Sequence, residues 1–500
     1  MKNKTPIILV NSLNIDRGGV TKSALTYANL LIKQYKVVYI GTFLYQRNYK
    51  KIIDTLYNEG YLNKRVKVLN MFEDAKPFKN KKYVSHKIKE KGFVEFKDKK
   101  QKKPSFRYYK DGLYLKYKRF TEDGELMFID YMDNSRQRTM REEYNHSGLV
   151  SRRRHMNKKI NRPSLDQYFD DKMKCYLTTW VNPKTLEEKK YLYFNEQNLE
   201  FDSLNDLRAM WLNNMLKNID KPVLMIDKRE IDNLMKDLKH NNLKTIAILH
   251  SNHFRKPYER GSELKANYKF LFNNAALFDK IVCLTESQKR DIEEQYGFNN
   301  KIEVIPHTVE RIDDRIEPEV NETKTKTAVS IARYDKEKRL DDAIRMFKIV
   351  VDKIPFARYD IYGTGSQKEE LQQLINKLNL QDNVKLKGYT NEPYNRLREA
   401  DCSILTSDFE GFGRVVSESL YVGTPVVSYD INYGPRDIIR NNVDGYIVEK
   451  GNKKEMAEKI IDIFQDENLK AKLSARAVEI EKRLSFKRFK NSWLELLRNI

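Results

Sequence analysis

Two series of short apolar runs, each alternating with stretches of helical periodicity, limit this chain more than any other feature. The first contains Ile7–Val10, Val37–Ile40 and Val66–Leu69, and resumes with Val223–Ile226, Thr245–Leu249, Ile281–Leu284 and Val304–Ile305. The second contains Ala328–Ile331, Tyr359–Tyr362, Val384–Leu386, Ser403–Leu405 and Val426–Ser428, and the chain beyond Lys453 is helical in pattern. Short apolar runs that alternate with helical stretches imply a parallel sheet with helices on its faces. The expectation is α/β, with two Rossmann-like domains joined by the polar stretch Glu310 to Lys326.

The first series is interrupted. From Asp74 to Leu204 the βα alternation disappears and Lys, Arg and Tyr dominate. Asp111-Gly112 and Asp123-Gly124 sit between strand-like runs such as Leu113-Tyr114-Leu115 and Leu126–Ile129. Asp-Gly supplies the positive φ angles of a tight hairpin, so these segments predict an antiparallel β-rich insert. The expected domains are residues 1–73 with 205–309, the insert 74–204, a second Rossmann-like domain 310–480, and a C-terminal helix 481–500 packing back on the first domain.

Charge narrows the partners. The formal net charge is +23, and the insert holds 31 Lys and Arg against 20 Asp and Glu, about half of the excess. A basic excess points to a polyanion: nucleic acid, an anionic membrane face or an acidic polymer. Ser151-Arg152-Arg153-Arg154 is the densest point, which makes Arg152, Arg153 and Arg154 candidate acceptor contacts, although a charge run is as readily a solvated face. Cys175, Cys283 and Cys402 are too few and too far apart for a disulfide framework or a metal cluster, and fit a reducing compartment. No stretch approaches the roughly 20 apolar residues of a membrane span. The expected place is the cytoplasm, with peripheral contact at the inner membrane face.

Ligands of open α/β sheets bind at the carboxyl ends of strands, and the informative residues follow such ends. Gly18-Gly19 closes the loop after the first strand, where backbone can approach an anion at a helix N-terminus. Arg333 and Lys338 follow Ala328–Ile331, a forked cation and a point charge suited to a diphosphate. Most specific is Glu410-Gly411-Phe412-Gly413-Arg414-Val415-Val416-Ser417-Glu418. Its glycines bare backbone N–H groups, and its carboxylates accept from vicinal diols, one on a sugar and one on a ribose. His250 closes the strand Thr245–Leu249, with His253 three residues on. No nucleophile–His–Asp pattern and no zinc spacing is present.

With these residues the chain resembles the large family of retaining glycosyltransferases with the GT-B fold, closely over the last 190 or so residues and more loosely before. Glu410 and Glu418 meet its Glu-x7-Glu motif, Arg333 and Lys338 its Arg-x4-Lys, and Gly363-Thr364-Gly365 and Gly388-Tyr389-Thr390 also fit. A narrower likeness, through Leu249–His253 and Tyr429–Asp437, is to the wall teichoic acid α-glycosyltransferases, which assemble through a β-rich insert. The resemblance implies two Rossmann-like domains facing across a cleft and a UDP-sugar donor. It gives Arg333 and Lys338 the diphosphate, and Glu410 with the Gly411, Phe412 and Gly413 backbone the sugar. Glu418 takes the ribose, and Tyr389 and Thr390 the base. Gly18, Gly19, Gly363 and Gly365 line the donor, and His250 lies near the reacting carbon. It further implies front-face transfer with retention, no metal or other cofactor, and a homo-oligomer, trimer or tetramer, built through the insert.

The expected activity moves a hexose from a UDP-sugar, UDP-glucose favoured, onto a teichoic acid polymer, poly(glycerol phosphate) favoured. Two enzyme alternatives stand beside it: UDP-N-acetylglucosamine with poly(ribitol phosphate), and an O-GlcNAc transferase for Ser-rich adhesins. A nucleic-acid-binding protein would leave the Glu-x7-Glu loop unexplained, so no nucleic-acid partner is expected.

Overall fold

The computed structural model describes residues 3–15, 19–79, 83–309 and 326–500, which divide into two compact units, Met1–Thr245 and Ile246–Ile500. The expected linker falls almost wholly outside the described residues.

In the first unit four parallel strands run in the order Pro222–Ile226, Thr5–Val10, Tyr39–Thr42, Lys67–Asn70. Ile8 is paired with Met225 on one side and Ile40 on the other. Ile7, Ile8, Leu9 and Leu224 are fully buried, because helices such as Gly19–Leu31 cover the sheet.

The insert is a ten-stranded antiparallel sheet in strict sequence order, from Val94–Lys97 to Leu199–Phe201. Asp111 and Gly112 adopt φ of 52° and 76°, the conformation expected of a two-residue hairpin joining Ser105–Lys110 to Leu113–Phe120. Phe120, Leu126, Ile129, Tyr144, Val150 and Phe169 form its own small core. Tyr45, Phe72 and Tyr168 cluster with ring centroids 4.8–5.8 Å apart, and the Tyr176 hydroxyl donates to the Phe72 carbonyl at 2.9 Å. These contacts tie the insert to the parallel strands of its unit.

The second unit begins within the strand Lys244–Ile248, beside which Lys280–Cys283 and then Ile302–Val304 pair in parallel. A six-stranded parallel sheet follows in the order Val384–Gly388, Arg358–Tyr362, Thr327–Ile331, Cys402–Leu405, Val426–Tyr429, Gly445–Val448. The first strand in sequence thus lies centrally, and the order reverses between Thr327–Ile331 and Cys402–Leu405. That switch point is where an open sheet leaves a crevice. Helices Leu340–Lys353 and Lys453–Gln465 supply Ile344, Phe347, Ile460 and Ile463 to one large core. The terminal helix Phe486–Asn499 belongs to this unit and buries Phe489, Trp493 and Leu497. The sequence pattern did not single out Gly445–Val448, whose run is broken by Gly445 and flanked by charge.

Candidate active site

Both sides of the switch point carry the expected residues. After Thr327–Ile331 the chain makes a turn at Lys336–Lys338 and enters helix Leu340–Lys353. After Cys402–Leu405 it forms the loop Ser407–Gly413 and enters helix Arg414–Tyr421. Lys338 Nζ donates to Glu410 Oε1 at 2.5 Å, and Ser407 Oγ donates to the same oxygen at 2.8 Å. Neither charged side chain is more than 17% exposed, so the pair is a largely shielded link between the loops that follow the two strands.

The glycines are fixed by close approach. A Cβ on Gly411 would lie 2.0 Å from the His250 carbonyl oxygen and 2.4 Å from its carbon, so the loop backbone rests directly on that of His250. Gly413 has φ 79° and starts the helix. A Cβ on Gly363 would meet the Ala332 carbonyl oxygen at 1.8 Å, and Gly365 packs against the Tyr334 backbone. Tyr334 N–H donates to the Thr364 carbonyl at 2.9 Å, and Gly363 N–H to that of Gly388 at 2.8 Å, which binds three strand-end loops together.

Around this centre, Glu418 faces Arg414 one helical turn back at 3.6 Å. Tyr389 is 70% exposed, an open ring face, while Thr390 Oγ1 accepts from Glu392 N–H at 3.0 Å in the turn before the next helix. Arg333 is 67% exposed and pairs with Asp335 and Glu337 rather than with the Lys338–Glu410 pair. The Asn252 amide donates to the Asn432 carbonyl at 3.1 Å, which joins the segment after His250 to the Tyr429–Asp437 segment. Lys265 reaches over the Phe409 ring at 3.8 Å; burial pulls its ammonium down to about 8, against the opposing pull of Glu337.

The histidines divide by environment. His253 has no exposed surface and packs against Phe254, Phe272 and Tyr433. Burial, helped by Lys265, holds its imidazole down at about 3, a neutral core residue. His250 lies parallel to His307, ring centroids 5.6 Å apart, and His307 meets Phe412 edge-on at 5.4 Å. His307 was not among the expected residues: it stands alone after the short strand Ile302–Val304, with no motif around it.

Three expectations end elsewhere. Gly18 lies outside the described residues, and Gly19 begins the helix Gly19–Leu31 of the first unit. Arg152, Arg153 and Arg154, expected as polymer contacts, are engaged by carboxylates within the insert. Arg152 forks Glu143 at 2.8–3.1 Å, Arg153 pairs with Glu142 at 2.7 Å, and Arg154 forks Asp166 with two bonds of 2.9 Å. Asp166 and Glu142 are themselves buried, so these guanidiniums balance internal carboxylates across neighbouring strands. A linear sequence shows the run of arginines but not the acids opposite them. Among the described residues no group of His, Cys, Asp and Glu is arranged to hold a metal.

The chain belongs to the group 1 glycosyltransferases, whose family model ("Glycosyl transferases group 1") matches residues 312–479, and it has their GT-B fold. It is similar to the poly(glycerol-phosphate) alpha-glucosyltransferase of Bacillus subtilis (strain 168), 29% identical over 95% of this chain and 72% of that protein. It is also similar to the poly(ribitol-phosphate) alpha-N-acetylglucosaminyltransferase of Staphylococcus aureus (strain COL), 28% identical over 99% of both chains. Among solved structures, a variant of S. aureus TarM in complex with fondaparinux, alpha-GlcNAc-glycerol and UDP matches with a TM-score of 0.84, at 27% identity over 99% of each chain.

Proposed function

We propose that this chain is a retaining hexosyltransferase that moves a sugar from a UDP-sugar onto the polyol-phosphate chain of wall teichoic acid. The observation that carries the reading is the Glu410–Gly413 loop, placed at the switch point, joined to Lys338 and seated on the His250 backbone. Similarity to two teichoic acid α-glycosyltransferases over nearly the whole chain supports the acceptor class. UDP-glucose and poly(glycerol phosphate) are the favoured pair, and UDP-N-acetylglucosamine with poly(ribitol phosphate) the other.

The residues divide the work as follows. Lys338 and Arg333 take the diphosphate, Arg333 exchanging its carboxylate partners for phosphate oxygens, and both stabilise the negative charge that develops on departing UDP. Exposed ion pairs such as those of Arg333 are weak enough to be exchanged. Both contacts to Glu410 fall on Oε1, so Oε2 is the oxygen offered to a sugar hydroxyl. Glu418 receives the ribose hydroxyls, and Tyr389 presents its ring to the base. An acceptor hydroxyl attacks the anomeric carbon on the face UDP leaves, the carbon–phosphate-oxygen bond breaks, and the hydroxyl proton passes to the leaving phosphate. The two cations perform the service a metal would otherwise give, so no metal is needed.

Polymer attraction falls to Lys97, Lys99, Lys100, Lys102 and Lys103, exposed around one turn of the insert, rather than to the paired arginines. Attraction of this kind weakens steeply with salt. Assembly into a trimer or tetramer through the insert would present several such turns to one polymer. The site fits an enzyme of the cytoplasm working at the inner membrane face; none of the described helices is long and apolar enough to cross a membrane.

The test is transfer of radiolabelled sugar from each of the two donors to each of the two polymers, with chelator present, followed by proton NMR of the product. One donor–polymer pair should react, with the α configuration kept. Transfer only to a Ser-rich protein, or inversion at the anomeric carbon, would overturn the reading.

A further inference from the structure

The stacked pair His250 and His307 gives a residue role that neither motif nor resemblance supplied. His307 is held from both sides by backbone. Ile305 N–H donates to the Cys283 carbonyl at 3.0 Å, and Val309 N–H and Thr308 Oγ1 donate to the Leu484 carbonyl at 3.2 and 2.9 Å. These anchors fix the backbone on either side of His307. Its imidazole lies parallel to His250, 8° between planes at 5.6 Å, and stands edge-on to Phe412, 84° at 5.4 Å. Phe412 and the Gly411 backbone belong to the same loop, and Gly411 rests on the His250 backbone. The His250 ring and the sugar loop are thus held in one register, with the His307 ring as the spacer between them.

Burial and the neighbouring charges favour the uncharged ring. Burial comes first, then the neighbouring His250 and Arg414, and all three press His307 well below the ordinary imidazole range. Arg414 is itself faced by Glu418. A cation at this point would stand beside a sugar that gains positive charge as UDP departs. A flat, uncharged ring avoids that repulsion while fixing the plane of its neighbour.

We propose that His307 is the positioning residue for His250: an aromatic platform that fixes the His250 ring against the sugar loop without touching substrate. This rests on the reading of His250 as the residue beside the reacting carbon. Shape and neutrality are what the role demands, so Phe should serve and Lys should not.

The experiment measures kcat and donor KM for wild type, His250→Ala, His307→Ala, His307→Phe and His307→Lys, with thermal unfolding of each. His307→Ala should lower kcat by about 10- to 100-fold, the scale of a misplacement near 1 Å, while donor KM moves less than about threefold, as expected when only the chemical step is affected. His307→Phe should recover most of the rate, and His307→Lys should recover none. In the wild type the His307 ring proton should show no titration by NMR between pH 5.5 and 8. If His307→Ala keeps the wild-type kcat, or if Phe fails to rescue while unfolding at the wild-type temperature, or if His307 titrates in that range, the proposal is overturned. A wild type that transfers no sugar at all would instead overturn the functional reading. An active His250→Ala would remove the role His307 is said to support.

Discussion

Replacing Gly411 by Ala separates the account of the sugar loop from a mere description of it. The added Cβ would lie 2.0 Å from the His250 carbonyl oxygen and 2.4 Å from its carbon, with the Ser251 Cα at 2.7 Å. All three are backbone atoms, so no side chain can swing aside. Ordinary carbon contacts lie near 3.5–4.0 Å, so the loop must move away from His250 by roughly 1 Å or more. Overpacking of this kind costs about 3 kcal/mol, the upper end of the usual range. For a unit of this size that lowers the melting temperature by roughly 6–12 °C. The same displacement carries Glu410 and Phe412 away from His250, and a 1 Å error in a reacting geometry is worth about 100-fold in rate. Gly297→Ala is the control. Gly297, unlike Gly411, has a positive φ, 68°, and open space around its Cβ position. It should lose about 1 kcal/mol from backbone strain and keep its rate. The assay is UDP release under saturating donor, with calorimetric melting. If Gly411→Ala retained full rate and melted with the wild type, the close seating of the loop on His250 would be refuted.

Further outcomes follow from the same geometry. Arg333→Ala removes only exposed ion pairs, so stability should change by less than about 1 kcal/mol, while kcat/KM falls by about 100-fold if its guanidinium meets the leaving diphosphate; unchanged kinetics would return Arg333 to the surface. Asp166→Ala strips the buried partner of Arg154 and should destabilise the insert by about 3–5 kcal/mol, read by urea unfolding, with polymer affinity little changed in the folded state. His253 is held at about 3 when folded against 6.5 when unfolded, so the unfolded chain binds the extra proton between those values and stability falls with acidification. The loss from this residue should be about 2 kcal/mol between pH 7 and pH 5; His253→Phe should flatten that slope, and an unchanged slope would contradict the assignment.

Much of the molecule is legible in its sequence because its strands are buried on both faces and read as short apolar runs. Ile7–Val10 and Ala328–Ile331 are such cases, and Asp111-Gly112 marks its hairpin through the φ angles it adopts. The second family of readings, based on charge, fared differently. The ion pairs of the Arg152–Arg154 run were not legible, because their carboxylates come from strands Arg138–Tyr144 and Arg162–Phe169 and cross-strand register is not written locally. Arg333 was expected beside Lys338, yet its long side chain turns toward Asp335 and Glu337, whose proximity depends on the turn between them. His307 stayed invisible because its meaning lies in a ring 57 positions away.

The most direct test of the central claim is calorimetric titration of UDP into wild type and Glu418→Ala. Hydrogen bonds from a nucleotide's ribose to an ionised carboxylate are worth about 1.5–3 kcal/mol. UDP should therefore bind the wild type without added metal and bind Glu418→Ala about 10- to 100-fold more weakly, with melting temperatures alike. Equal affinity in the two proteins, or no UDP binding to the wild type, would contradict the central claim.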